Sequence, residues 1–209
     1  MKIVDGLKAP PRLDRILVPF FQSNRPWLCT DIVAYSDSDQ GRSILLVDRN
    51  EPPVRGVLWL PGGGKPKNVG LEAFVNDKMV AECGVGIGKD VRLVRQLGAW
   101  DFSTADDLPL VPGLGVVGVD NGFHAVSINY LVEVSPDATD RIRVDSTSAR
   151  HHWFNMAQLR AYGASIGGFH PYFAETVNAA APELGLNPKL ALAEVNVAKY
   201  GSPVDNFEG

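Results

Sequence analysis

The residues best suited to chemistry lie between Trp59 and Val85, where a glycine triplet precedes a lone carboxylate, Glu82. The triplet Gly62–Gly64 follows Pro61, and consecutive glycines let a ligand or metal ion approach main-chain carbonyls closely. A carboxylate beneath such a turn can hold a divalent cation against a diphosphate. This stretch therefore predicts a site for a phosphorylated ligand and a cation.

Two elements must position these residues. The apolar run Val57–Leu60 predicts a buried strand that ends at the glycines. A helix is predicted from Gly70 to Cys83, closed by Gly84, because glycine is common just past a helix C-terminus. On that helix Lys78 and Glu82 are four residues apart, so their side chains can pair.

The rest of the sequence predicts further strands, two helices and one long loop. Strands are predicted at 29–36, 43–48, 91–100 and 123–134, with a short one at 141–144. Helices are predicted at about 155–161 and from His170, the latter ended or kinked by Pro182. Residues 101–122 form a loop long enough to have a function, and its apolar members favour a flap or a dimer contact.

Composition limits the classes of function. The chain has 209 residues, 45% of them hydrophobic, which suits one domain with a sizeable core. The net charge of -4 provides no basic face for nucleic acid. Cys29 and Cys83 fall in predicted core elements and are expected to be buried free thiols. No secretory leader or membrane-length apolar run is evident, so a cytoplasmic location away from membranes is expected.

The strand, glycine turn and helix resemble the Nudix box, whose pattern is G-x5-E-x7-R-E-U-x-E-E-x-G-U. Aligned from Gly63, the acidic position that is kept is Glu82, and Gly84-Val85 match the closing pair. The other box positions are substituted, as follows: Val69, Asp77, Lys78 and Ala81. The order of elements from about Leu28 to Leu184 also resembles this superfamily. The resemblance implies an α/β (α+β) fold, a Nudix-type α/β/α sandwich with a mixed sheet between helices.

Within the superfamily the chain is most similar to the GDP-mannose mannosyl hydrolase family, whose box is also incomplete. Leu71-Glu72-Ala73 through Ala81-Glu82-Cys83-Gly84 match its helix segment without a gap. That family uses one Mg2+ ion, and water attacks the anomeric carbon, releasing free sugar and nucleoside diphosphate. The resemblance implies metal ligation by Glu82 and the Gly62 carbonyl. It also implies Arg49 on the leaving diphosphate, with Asp31 and His124 on the sugar.

Three positions depart from the family pattern. Its second phosphate-binding Arg falls on Gly64, although Lys65 beside it could substitute. Its Gln metal ligand and His general base fall on Thr147 and Ser148, whose hydroxyls are not bases near neutral pH. The third departure is Lys78, at a position where the full box has a metal-ligating Glu, so a second metal ion is disfavoured.

Two histidines just downstream, His151 and His152, are the candidates for the missing base, because imidazole titrates near neutral pH. The alternative is that this pair only flanks Trp153 on a surface strand.

The sequence therefore predicts a hydrolase of a nucleoside diphosphate sugar that uses one Mg2+ ion. Two other interpretations stay open: a Nudix-fold binding or scaffold protein without catalysis, and a pyrophosphatase acting at phosphorus. The expected organisation is an arm at 1–28, a domain at 29–186 and a partly helical tail at 187–209. The proline-rich arm and the apolar loop favour a homodimer.

Overall fold

The computed structural model of the chain describes residues 27–38, 41–49, 58–104 and 123–192. Most of the predicted arm, residues 105–122 of the long loop and residues 193–209 of the tail lie outside the described residues. The strands are β1 (Trp27–Ser38), β2 (Gly41–Arg49), β3 (Leu58–Trp59), β4 (Gly62–Gly64), β5 (Val91–Thr104), β6 (Phe123–Val134) and β7 (Ser148–Asn155). The helices are α1 (Leu71–Cys83), α2 (Pro136–Thr139), α3 (Met156–Ser165), α4 (Pro171–Ala179) and α5 (Ala181–Leu184).

The described strands form one mixed sheet centred on β1. Strand β1 runs parallel to β6, which in turn pairs antiparallel with β5. On its other edge, β1 pairs with β2 near Tyr35 and with β4 near Asp31, both antiparallel. Strand β2 also pairs with β3 and β7. The β3–β4 segment, which carries the glycines, therefore borders both β1 and β2.

Alternation along β1 and β2 sends apolar side chains to both faces of this sheet. On one face Ile32 and Leu45 pack with Val75 and Met79 of α1. The opposite face is packed against α3, α4 and α5, with Phe173 fully buried there. Helices thus cover both faces, and the predicted sandwich with a mixed sheet between helices is confirmed.

Helix α1 and its cap match the prediction closely. The helix starts at Leu71, after Gly70, and Gly84 takes the left-handed conformation with φ of 72°. Its N–H donates to the carbonyls of Met79 and Val80, which would otherwise lack partners at the helix end. Glu82 is thereby fixed in the last turn, beside the glycines of β4.

Other predicted elements differ from the structure. Residues 148–155 form β7, which pairs with β2, so His151 and His152 do flank Trp153 on a strand. Residues 141–144 are not a strand, and 136–139 form the short helix α2. The last helix is divided at Ala180 into α4 and α5, and residues 187–192 are not helical. Within the described segments, no helix has the length and apolar character needed to cross a membrane.

Candidate active site at the glycine turn

The carboxylate of Glu82 is held from two sides at the glycine turn. The N–H of Gly62 donates to Oε2 at 2.9 Å, and the Lys78 ammonium donates to Oε1 at 2.6 Å. The side chains of Lys78 and Glu82 are 23% and 13% exposed, so this ion pair is largely shielded from water. The predicted pairing across one turn of helix α1 is confirmed.

Gly62 lies directly against Asp31 of β1. A Cβ atom added at Gly62 would be 2.2 Å from Asp31 Oδ1 and 2.4 Å from the Thr30 carbonyl oxygen. No residue other than glycine fits at this position without moving the backbone of β1. The absence of a side chain therefore lets the turn and the Asp31 carboxylate approach each other.

Asp31 is the buried acid of the site, 7% exposed. Burial raises its pKa to about 6, while the Tyr172 hydroxyl and the Arg49 guanidinium lower it and the Glu82 carboxylate raises it further. The Tyr172 hydroxyl donates to Asp31 Oδ2. A carboxylate with a pKa this close to neutrality can accept or release a proton under physiological conditions.

A polar network beneath Asp31 holds Tyr172 in place. Asn129 accepts from the Asp31 N–H through Oδ1 at 3.0 Å and donates to the Tyr172 hydroxyl through Nδ2 at 2.9 Å. Its Nδ2 also donates to Thr176 Oγ1 at 3.0 Å. The Trp59 ring stacks on that of Tyr172, with centroids 5.8 Å apart. The network ties β1, β6 and α4 together and fixes the orientation of the acid.

Arg49 ends β2 close to this acid. Its positive charge lowers the pKa of Asp31 and also counters the burial that raises the pKa of Cys29 to about 12. Lys65 follows β4, with its N–H donating to the Leu28 carbonyl at 2.8 Å. The structure thus gathers Asp31, Arg49 and Glu82 around the glycine turn and sets Lys65 just beyond it.

The two histidines proposed as bases lie on β7 and have other surroundings. His152 Nε2 is 3.1 Å from Asp48 Oδ1 on β2, and Arg150 donates to the other oxygen of Asp48 at 3.0 Å. Burial, followed by the charges of His152 and Arg143, lowers the pKa of His151. His152 is thus bound to a carboxylate of β2, whereas His151 lies near the charges of His152 and Arg143.

The other predicted site positions are partly placed. His124 lies in β6 opposite Ser103, and its side chain is outside the described part of the structure. Ser148 pairs with Arg49 across β7 and β2, so the position of the family's base does border the site. Thr147 is turned towards Asp145, which accepts from both its N–H and its hydroxyl.

The residues at the turn do not fit a resident magnesium ion. Mg2+ needs several oxygen ligands, yet both Glu82 oxygens already accept hydrogen bonds, one of them from an ammonium group. In the parts of the chain that are described, no three His, Cys, Asp or Glu side chains are grouped to share a metal ion.

Comparison with known proteins identifies the fold. No protein-family model matches the chain, and none of the curated proteins does. Among solved structures, the Nudix hydrolase from Nitrosomonas europaea is 17% identical, with a TM-score of 0.53 over 76% of this chain and 90% of its own. The M. smegmatis Nudix hydrolase RenU is 16% identical, with a TM-score of 0.51 over 79% and 91%. The chain has the Nudix fold.

A third solved structure with the same architecture is the C. elegans Ap4A hydrolase. It is 9% identical, with a TM-score of 0.55 over 76% of this chain and 98% of its own. At these identities the likeness concerns the Nudix fold alone. The activity of this chain must therefore be argued from its own residues.

Sequence reasoning missed the residues that support Asp31. Asn129, Tyr172 and Thr176 bind one another or the acid although 43 to 141 residues separate the partners. Only the general requirement that a buried Asp find partners pointed to them. Asp48 was also missed, and its role depends on the pairing of β7 with β2, which the sequence did not predict.

Proposed function

We propose that this Nudix-fold protein hydrolyses a nucleoside diphosphate sugar at the anomeric carbon, at the glycine turn. The observation that supports it is the convergence of Asp31, Arg49 and Glu82, which come from β1, β2 and α1, around Gly62. A site with a buried carboxylic acid beside fixed positive charges suits a substrate that joins sugar hydroxyls to a diphosphate.

In the proposed reaction a water oxygen attacks the anomeric carbon of the sugar. The bond from that carbon to the diphosphate oxygen breaks, and the nucleoside diphosphate leaves with the electron pair. Arg49 and Lys65 stabilise the negative charge on the leaving diphosphate. The attacking water loses its proton, and the products are the free sugar with inverted configuration and the nucleoside diphosphate.

We assign the proton of that water to Asp31. A general base works best when its pKa is near the operating pH, and burial raises the pKa of Asp31 to about 6. His151 and His152 stay as predicted bases to be compared with it by mutation, and His124 stays a predicted sugar contact. The single Mg2+ ion predicted from the sequence is likewise a matter for experiment, because the donors at the turn do not fit it.

The reaction is tested with a panel of nucleoside diphosphate sugars in 18O-labelled water, with Mg2+ in one arm and a chelator in the other. Attack at the anomeric carbon places the label in the sugar. A pyrophosphatase acting at phosphorus instead places it in a phosphate product. Label in phosphate, or no turnover of any sugar nucleotide in either arm, would refute the proposal.

A second function, a Nudix-fold binding or scaffold protein without catalysis, is favoured by one observation. Asp48 binds both His152 and Arg150, so the imidazole of His152, one of the two predicted bases, is already hydrogen-bonded to a carboxylate. Calorimetry with a nucleoside diphosphate distinguishes a binding protein from a protein that has lost all function. Binding without turnover would support this second function.

The protein is further proposed to be a cytoplasmic homodimer that binds neither nucleic acid nor membranes, with the domain boundaries expected from the sequence. The proline-rich arm and the apolar members of residues 101–122 motivate the dimer. Size-exclusion chromatography with light scattering tests it, since the monomer mass is 22.6 kDa. A single species at the monomer mass over a wide concentration range would contradict the dimer.

A further inference from the structure

We propose that the Lys78 ammonium takes the place of a divalent metal ion at the glycine turn, so that a nucleoside diphosphate binds without one. This inference rests on the proposed ligand class, a diphosphate at the turn. It does not depend on which bond is cleaved, or on whether any bond is cleaved. The binding site would then be complete without a metal cofactor.

The position of the ammonium group supports this. Lys78 reaches from α1 so that its Nζ atom is 2.6 Å from Glu82 Oε1 and 3.1 Å from where a Cβ of Gly63 would lie. Burial raises the pKa of Cys29 on β1, and the charge of Lys78 lowers it. The glycine turn therefore encloses a cation that belongs to the chain.

The donor inventory allows this cation to bind phosphate while it remains paired. An ammonium group has three N–H donors, and the one described hydrogen bond of Lys78 uses one of them. Lysine binds phosphate groups as a point charge in other nucleotide sites. Glu82 holds the ammonium in place from the opposite side, with Gly62 fixing the other carboxylate oxygen.

The same geometry sets Lys78 and a metal ion in competition. A cation that coordinated Glu82 Oε1 would have to displace the ammonium group that is already 2.6 Å away. A metal ion and an ammonium group bound to the same carboxylate oxygen would repel each other strongly in a partly shielded site. Removing the ammonium should therefore weaken metal-free binding and at the same time make a response to Mg2+ possible.

The test is calorimetric titration of the full chain with ADP and GDP, in chelator and in Mg2+. The wild type is expected to bind with similar affinity in both buffers, within about threefold. Lys78→Met is expected to bind at least about tenfold more weakly in chelator, a loss of about 1.4 kcal/mol. It is expected to recover part of that loss in Mg2+. Lys78→Arg, which keeps the charge, should retain most of the chelator binding.

Lys89→Met is the matched control, because Lys89 is an exposed lysine outside the turn. It should bind like the wild type in both buffers. Wild-type binding that requires Mg2+ would overturn the Lys78 inference and leave the proposed ligand class standing. Binding in neither buffer would overturn both. The wild-type comparison can overturn the inference by itself, so the test holds even if Lys78→Met fails to fold.

Discussion

The glycine turn and the β2–β7 pair each carry a carboxylate bound by a lysine or arginine side chain, yet they are built differently. Glu82 is paired within one helix turn and is also bound by a backbone N–H. Asp48 is paired with Arg150 and His152, more than 100 residues away, across two strands. The first cluster lies beside a buried acid and a gap formed by glycine. The second cluster holds one strand against another.

This difference supports our proposal that Glu82, and not Asp48, is placed for a ligand. At the turn, position 62 requires glycine because Asp31 lies against its backbone. The atoms that a Cβ would meet there belong to Asp31 and to the Thr30 carbonyl, not to apolar side chains. Between β2 and β7, five consecutive antiparallel residue pairs run from Ser43 with Asn155 to Val47 with His151, and Asp48 lies at the register shift that follows them. We therefore regard the turn as the chemical region and the Asp48 cluster as structural.

Substitution of Gly62 should have the largest effect. Gly62→Ala places a methyl group 2.4 Å from the Thr30 carbonyl oxygen, a backbone atom that cannot rotate away. We expect the free energy of unfolding to fall by about 3 kcal/mol or more, measured by urea denaturation. The control is Gly70→Ala, where nothing lies within 4 Å of the added Cβ; its cost should stay within about 1 kcal/mol. Equal costs at the two glycines would remove the argument for a close approach at the turn.

The contribution of Asp31 to the free energy of unfolding should fall as the pH rises. The folded-state pKa of about 6 exceeds the ordinary value of 3.8, so the folded protein binds this proton more tightly than the unfolded chain does. Its contribution to the free energy of unfolding is therefore largest below pH 3.8, falls between pH 3.8 and 6, and stays low above that. The total change is roughly 3 kcal/mol. Asp31→Asn should lack this component when wild type and variant are unfolded in urea at pH 4 and pH 7. An unchanged difference between them at the two pH values would contradict the raised pKa.

Asp48→Asn should separate stability from function. Asp48 is 7% exposed and Arg150 is half-exposed, so losing the charge should cost about 1 to 2 kcal/mol of stability, because only part of the pairing is shielded. The rate of hydrolysis should stay within about threefold of the wild-type rate. Asp31→Asn, in the same assay, should lower it by about 100-fold or more. If Asp48→Asn instead causes the larger loss in rate while remaining folded, His152 oriented by Asp48 would be the base.

His151 should give the smallest effect, and one of opposite sign to that of Asp31. Its pKa is lowered in the folded state by burial and by the nearby charges of His152 and Arg143. The unfolded chain therefore binds this proton more tightly, so the contribution of His151 is present above pH 6.5 and is lost as the pH falls through the lowered value. Thermal unfolding of His151→Gln at pH 5 should show a smaller acid-induced fall in Tm than the wild type. A larger fall would mean that folding raises the pKa of His151 instead of lowering it.

The sequence predicted what depends on local spacing. Helix α1 and its glycine cap follow from periodicity and from the steric freedom of Gly84, and the Lys78–Glu82 pair follows from their spacing on that helix. The fold could be predicted because the order of elements survives the loss of most box carboxylates.

The sequence did not reveal what depends on long-range pairing. Strand β7 alternates poorly and is stabilised by its hydrogen bonds to β2, so the surroundings of His152 could not be read locally. The partners of Asp31 come from β6 and α4, and no local pattern marks Asn129 or Tyr172 as hydrogen-bond partners of an acid. The raised pKa of Asp31 likewise arises from burial, which only the assembled fold defines.

The most direct test of the central claim is an NMR titration of the 15N-labelled protein with GDP. If the glycine turn is the binding region, the amide resonances of Gly62, Gly63 and Gly64 should shift or broaden first, together with those in the last turn of α1. Those of residues 150–155 should change little. Shifts concentrated in β7 and around Asp48, with the glycine amides unchanged, would contradict the assignment of the site to the glycine turn.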